Sequence, residues 1–127
     1  MNNIDWNNQF CIPVRETTEA QIKHLVVKSI ITLLIKIKHS KKSRFQRVYP
    51  EFDLNGTICD IYHENWNSME VRCYEIQKEV TPQWISQKNN FYNNLEIMGF
   101  KVDWVLINLK ELSDDIETLI KQLKELI

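Results

Sequence analysis

The sequence predicts a mixed α/β domain whose elements follow the order αβββαβα. Apolar residues recur every three or four positions near both ends, which indicates helices, and every second position in the middle, which indicates strands. A nearly continuous apolar run over residues 102–109 is typical of a parallel strand covered on both faces. The 127 residues, 43% hydrophobic with a net charge of -1, suit one domain over residues 1–127 with a single core.

The composition excludes several classes of protein. Two glycines and three prolines in the whole chain exclude collagen-like, linker-like and disordered proteins. The most apolar run, residues 25–37, contains two lysines and is shorter than the roughly 20 residues that cross a bilayer. We therefore expect no association with a membrane.

The amino-terminal residues and the cysteines indicate a cytoplasmic protein. Residues 1–16 are expected to form a polar arm, and residues 1–9 lack the basic start and apolar centre of a secretory signal. The three cysteines form no Cys-x-x-Cys pair. Neither a disulfide framework nor a zinc site is therefore indicated.

The first helix is predicted over residues 18–38. Thr18 and Gln21 have the spacing of a capping box at its start. His24 is expected at the edge of the core and His39 on the solvated face of this helix. The residues expected to face the core at helical spacing are Ile22, Leu25, Val26, Ser29, Ile30, Leu33, Leu34 and Ile37.

The middle of the chain predicts three strands. Residues 47–53 and 57–63 are separated by Asn55-Gly56, the strongest short signal for a hairpin. A third strand is predicted over residues 70–79 after a turn.

Two further helices are predicted in the carboxyl-terminal half. One begins at Thr81-Pro82 and is expected to extend to Gly99, with Leu95 and Met98 in its apolar stripe. The other covers residues 111–127, where five acidic residues accompany two lysines. Its inward-facing residues are expected to be Ile116, Leu119, Ile120, Leu123 and Ile127.

A basic segment, residues 36–47, carries six positive charges in twelve residues of an otherwise neutral chain. Such a cluster favours contact with nucleic-acid phosphates about as strongly as it favours a solvated helix end. We predict phosphate contact, close to the carboxylates described next. The residues predicted to contact nucleic acid are Lys38, Lys41, Lys42, Arg44 and Arg47.

Two carboxylates on neighbouring strands predict a metal site. Asp60 is expected to share one strand face with Ile58 and Tyr62, and Glu75 another with Gln77, because alternate residues of a strand point the same way. If the strands pair, Asp60 and Glu75 converge. Two carboxylates with a neighbouring carbonyl oxygen suit Mg²⁺, with Mn²⁺ as an alternative.

These residues resemble the metal motif of the PD-(D/E)xK nuclease superfamily. Cys59-Asp60, fourteen intervening residues and Glu75-Ile76-Gln77 match its pattern, and the predicted element order matches its helix, three strands, helix and strand. Within the superfamily, the chain is similar to the competence protein CoiA-like branch, across most of residues 16–109. The segments similar to that branch are Glu75-Ile-Gln77, Lys88-Asn-Asn-Phe-Tyr92 and Val102-Asp-Trp104-Val-Leu106.

The resemblance implies a restriction-endonuclease-like fold, with a mixed four-stranded sheet flanked by helices, and Mg²⁺-dependent cleavage of DNA. It implies that Asp60 and Glu75 hold the metal. Gln77 stands where many members carry a lysine that activates water, and Lys88, one helical turn before Tyr92, is the candidate for a migrated lysine.

The first helix of this superfamily often supplies a further glutamate to the metal. Glu19 is the nearest match here, and Glu16 is less well placed. Glu51, on the first strand, is another candidate neighbour of the metal.

Other functions remain open. A catalytically silent nucleic-acid-binding module on the same fold would explain Gln77, and the last helix would suit a protein-interaction module. Isolated acidic residues on strands also commonly just face solvent. For an active nuclease, the small size favours cleavage as a homodimer without reading of a defined sequence.

Overall fold

The computed structural model describes residues 18–127, and the predicted polar arm and Glu16 lie outside this part of the chain. The order αβββαβα is confirmed. Two short 3₁₀ helices, Ser40–Phe45 and Leu109–Glu111, precede β1 and follow β4. The main elements are α1 (Glu19–Lys38), β1 (Gln46–Leu54), β2 (Thr57–Asn65), β3 (Glu70–Gln77), α2 (Pro82–Asn93), β4 (Lys101–Asn108) and α3 (Ile116–Leu126).

The strands form one mixed sheet in the order β1-β2-β3-β4. The first three strands are antiparallel, and β4 is parallel to β3 after the crossover through α2. The prediction of a parallel strand is confirmed, and β4 packs into apolar clusters on both faces. Because β4 lies at the edge of the sheet, Ile107 is its one buried side chain.

The hydrophobic core lies on both faces of the sheet. On one face, α1 and α3 pack against side chains such as Ile61, Tyr74 and Ile107. On the other face, Tyr92 of α2 and Phe100 cover a second cluster. The residues of this second cluster are Leu54, Cys59, Tyr62, Val71, Cys73, Tyr92 and Phe100.

The buried face of α1 differs from the predicted stripe. The capping box is confirmed, with Thr18 N donating to Gln21 Oε1 at 2.8 Å and Gln21 N donating to Thr18 Oγ1 at 3.2 Å. Val27, Ile31 and Ile35 are buried completely. Four predicted core residues are instead exposed: Leu25, Ser29, Leu33 and Ile37.

The hairpin between β1 and β2 has the predicted two-residue turn. Asn55 and Gly56 both have positive φ, 55° and 99°, as a type I′ turn requires. The predicted strand ends agree with β1, β2 and β3 to within two residues.

Both later helices are shorter than predicted. α2 ends at Asn93, and Met98 and Gly99 have φ of 47° and 77° in the turn that enters β4. Met98 is therefore 67% exposed and does not belong to a helical stripe. α3 begins only at Ile116, because Asp115 accepts a hydrogen bond from Thr118 N and caps the helix there.

None of the helices formed by residues 18–127 combines the length and the apolar character that crossing a membrane requires.

Candidate active site

The candidate site forms where the regular pairing of β1 with β2 is interrupted. β1 and β2 pair in one register on both sides of Glu51 and Asp60, but these two residues do not pair with each other. Glu51 has a φ of 51°, which is uncommon for a residue other than glycine. Cys59 and Tyr62 lie on the α2 side of the sheet while Ile61 lies on the α1 side. The predicted shared face of Asp60 and Tyr62 is therefore wrong.

At this break the Asp60 carboxylate binds the backbone of β3 at Ile76, the residue after Glu75. The backbone pairing of β2 with β3 ends at Ile61 and Tyr74. Beyond it, Asp60 Oδ2 accepts a hydrogen bond from Ile76 N at 2.7 Å. Both carboxylates line one cleft of about 600 Å³. The sequence predicts that they lie near each other, but it predicts regular strands, whereas β2 is irregular at Asp60.

Glu75 is the buried centre of this cleft, with 4% of its surface exposed. Its Oε2 accepts hydrogen bonds from Lys88 Nζ at 2.8 Å and from Tyr92 Oη at 2.7 Å. Burial raises the pKa of Tyr92, which keeps the hydroxyl a donor. Lys88 and Tyr92 are four residues apart on α2 and reach the same carboxylate. The Lys88 ammonium, whose position the sequence left open, is thus in the site.

Two side chains of α1 line the same cleft and were not expected there. His24, predicted only at the edge of the core, is half-buried, and its Nε2 lies 3.3 Å from Asp60 Oδ1. Lys28 is 8% exposed, and its Nζ donates to Glu51 Oε1 at 2.6 Å. This ammonium lowers the pKa of Glu51. The signal in the sequence was polar residues at helical spacing, Gln21, His24 and Lys28, in an apolar helix.

Gln77 and Lys78 also line the cleft. Gln77 Nε2 donates to the carbonyl oxygen of Glu79 at 3.2 Å. Lys78 follows the last residue of β3, Gln77, so strand alternation does not place the Lys78 side chain on the opposite face of the sheet.

The structure does not bring Glu19 to this cleft. Glu19 is the first residue of α1 and lines a neighbouring depression with Lys23 and Lys110. Glu51, the alternative considered on the sequence, does line the cleft.

The basic segment, residues 36–47, is far from the cleft. His24 and Lys38 are fourteen residues apart on α1, which corresponds to about 21 Å along the helix axis. The predicted proximity of this segment to the carboxylates is wrong, because it follows the opposite end of α1. All six cations of the segment are exposed: Lys36, Lys38, Lys41, Lys42, Arg44 and Arg47.

The oxygen atoms of the cleft fit a hard divalent cation. Asp60, Glu75 and the Ile76 carbonyl are oxygen donors, and no residue in 18–127 donates a hydrogen bond to Glu75 Oε1. Within those residues, no three Asp, Glu, His or Cys side chains group closely enough to hold a metal ion. Mg²⁺ is commonly held by one or two carboxylates together with water and substrate phosphates, so two carboxylates are sufficient for it.

Comparison with known proteins gives no relative. No family model matches the chain, and neither a curated protein nor a solved structure matches it significantly.

Proposed function

We propose that this protein is a metal-dependent nuclease that hydrolyses phosphodiester bonds of DNA in the cleft around Asp60 and Glu75. One observation carries the proposal. Two carboxylates from adjacent strands line one cleft, and the Lys88 ammonium lies 2.8 Å from the buried member of the pair. Acidic residues with a lysine are suited to phosphoryl chemistry, because they combine cation binding with donors for a charged oxygen.

Asp60, Glu75 and the Ile76 carbonyl would hold Mg²⁺ or Mn²⁺. When bound, the cation stabilises charge on the scissile phosphate and lowers the pKa of a water molecule. The chain's own groups keep the carboxylates in position. Ile76 N–H orients Asp60, and Lys88 and Tyr92 both orient Glu75.

Lysines around the cleft would attract the anionic substrate. Lys28, Lys78 and Lys88 line it together with the carboxylates. Lys88 Nζ is close enough to Glu75 to donate also to a phosphate or water oxygen beside that carboxylate. The basic segment, at the far end of α1, would contact DNA outside the cleft.

The direct test is cleavage of plasmid and single-stranded DNA by purified protein with Mg²⁺, with Mn²⁺ and with EDTA. We expect cleavage with either metal and none with EDTA. DNA binding without cleavage under every condition would instead indicate a silent binding module. Absence of both binding and cleavage would favour a protein-interaction role.

A further prediction concerns Gln77. We expect Gln77→Lys to retain cleavage or to increase it, because it adds a further ammonium to the three that already line the cleft. The measurement is the initial cleavage rate in Mg²⁺ beside the unaltered protein. A folded Gln77→Lys protein that cleaves no DNA would show that the amide itself is required.

The basic segment gives a separate prediction. Neutralising Lys41, Lys42 and Arg44 together should weaken binding to all DNA sequences alike and reduce the salt dependence by roughly one unit of logarithmic slope per lost contact. The rate at saturating DNA should not change, because these residues are remote from the cleft. Stability should change by less than about 0.5 kcal/mol per residue.

Fluorescence anisotropy across a salt series measures the binding, with inactive Glu75→Gln protein as the background for both forms. Identical salt dependence with and without the three charges would show that the segment is an ordinary solvated helix end.

A further inference from the structure

A second polar pocket lies at the opposite end of the sheet from the cleft. It has a volume of about 270 Å³. Three different elements bring basic side chains to its wall: the end of α1, β2 and β3. These side chains are Lys38, His39, His63 and Arg72.

The positive charge of this pocket is poorly neutralised. Among residues 18–127, no Asp or Glu side chain forms an ion pair with Arg72. Arg72 is half-buried, forms a hydrogen bond with the Tyr74 side chain and shares the pocket with Glu70. Lys38 Nζ donates to the main-chain oxygen of Ile127 at 2.8 Å. Removing a charge from water without a counter-charge is unfavourable. An anion in the pocket would supply that counter-charge.

Burial and the positive charges of Lys38 and Arg72 lower the pKa of both histidines in the pocket. Burial, followed by the charge of Lys38 and Arg72, lowers the pKa of His39. Burial, His39, Arg72 and Lys38 lower the pKa of His63 to about 4. The two rings lie 5.1 Å apart. The lowered pKa favours the neutral form of both imidazoles at pH 7, and an anion beside them would favour the protonated form.

A hydrogen-bond chain holds the His63 ring in one orientation. Gln46 Nε2 donates to Asn65 Oδ1 at 2.9 Å, and Asn65 Oδ1 also accepts from the backbone N–H of Asn67 and Ser68. Gln46 therefore presents its Oε1 to His63 Nε2 at 2.6 Å. Nε2 must carry the proton, since Oε1 can only accept.

We propose that this pocket binds a phosphate group. The proposal concerns a second site and does not depend on catalysis in the cleft. A guanidinium, an ammonium and the His39 imidazole are donors suited to the several oxygens of a phosphate. His63 already donates its Nε2–H to Gln46, so it adds a donor at Nδ1 only when it is protonated. The phosphate has two sources to consider, free phosphate or a nucleic-acid strand. Lys38 also borders a surface depression with Lys41 and Lys42, so a strand held by the basic segment would pass beside the pocket.

The three histidines of the chain provide the test. Inorganic phosphate is titrated into the protein at pH 7 and fixed ionic strength, with chloride as the balancing anion, while the imidazole resonances are followed by NMR. We expect saturable shifts for His39 and His63 and none for His24, which lies in the cleft. Arg72→Gln should weaken this binding at least about tenfold, because it removes charge-assisted hydrogen bonds.

Two variants complete the test. Lys38→Gln should also weaken phosphate binding. Because Lys38 is exposed, this variant should fold even if Arg72→Gln does not, and the proposal can then still be tested. Lys110→Gln is the matched control, because this exposed lysine lies beyond the other end of β4, and it should bind phosphate normally. Equal shifts of all three histidines, or equal affinities in all variants, would overturn the proposal.

The source of the phosphate is identified by competition on the same resonances. Oligonucleotides with a 5′-phosphate and with a 5′-hydroxyl are added to phosphate-saturated protein. Displacement by both indicates a backbone phosphate, and displacement by the first alone indicates a terminal phosphate. Saturable phosphate binding with no displacement indicates a free small anion as the ligand.

Discussion

Replacing Asp60 by Asn or Glu75 by Gln is expected to lower metal-dependent DNA cleavage by more than about 100-fold. Loss even of a group that orients a metal ligand commonly costs 10–100-fold, and these substitutions remove the ligand charge itself. Asp60→Asn retains an oxygen that can accept from Ile76 N, so its fold should persist. Cleavage rates of purified variants with Mg²⁺ and Mn²⁺ are the measurement.

Amide variants are better suited to this test than alanine variants. Glu75→Ala would leave Lys88 and Tyr92 without the acceptor they share in a buried site, and such unpaired groups destabilise a protein by about 1–3 kcal/mol each. Glu96→Gln is the control, because Glu96 is exposed and forms no ion pair within residues 18–127. Cleavage at the unaltered rate in both folded variants would contradict the metal site.

Replacing Ile31 by Ala should destabilise the protein by about 2–5 kcal/mol. Ile31 is completely buried in the cluster that joins α1, α3 and the sheet, so the substitution leaves a cavity among side chains that cannot collapse fully. Urea unfolding followed by circular dichroism gives the free energy of unfolding for both proteins.

Leu33→Ala is the matched control for this prediction. Leu33 lies two residues away on the same helix and is 59% exposed, so its truncation should change the free energy of unfolding by less than about 0.5 kcal/mol. A larger loss for Leu33→Ala than for Ile31→Ala would mean that the other face of α1 is buried.

The local elements of this fold were predictable because short-range chemistry determines them. Thr18 and Gln21 satisfy each other's backbone groups whatever the rest of the chain does. Asn55-Gly56 accepts the positive φ of a tight turn. The end of α2 was less predictable, since the turn that contains Gly99 belongs to the entry of β4 and not to the helix.

The candidate site was predictable only as a pair of residues. Asp60 and Glu75 stand out as carboxylates on neighbouring strands, and Lys88 as a lysine one turn before Tyr92. Nothing in the sequence indicates the irregular backbone at Glu51 and Asp60. The sequence-based prediction assumed regular alternation of side chains along the whole of each strand. His24 and Lys28 line the cleft because α1 packs beside it, and the sequence alone does not indicate this packing.

The sequence by itself determined the order of the elements, the hairpin, the helix cap and the carboxylates around which a site could form. Only the tertiary structure decided which face of α1 is buried, because nine of the thirteen residues from 25 to 37 are apolar and several stripes satisfy the same periodicity. It also decided that the basic segment lies beside a separate pocket and away from the cleft. A helix of twenty residues spans about 30 Å, so residues adjacent along the chain to the site's strands can lie at the opposite end of the molecule.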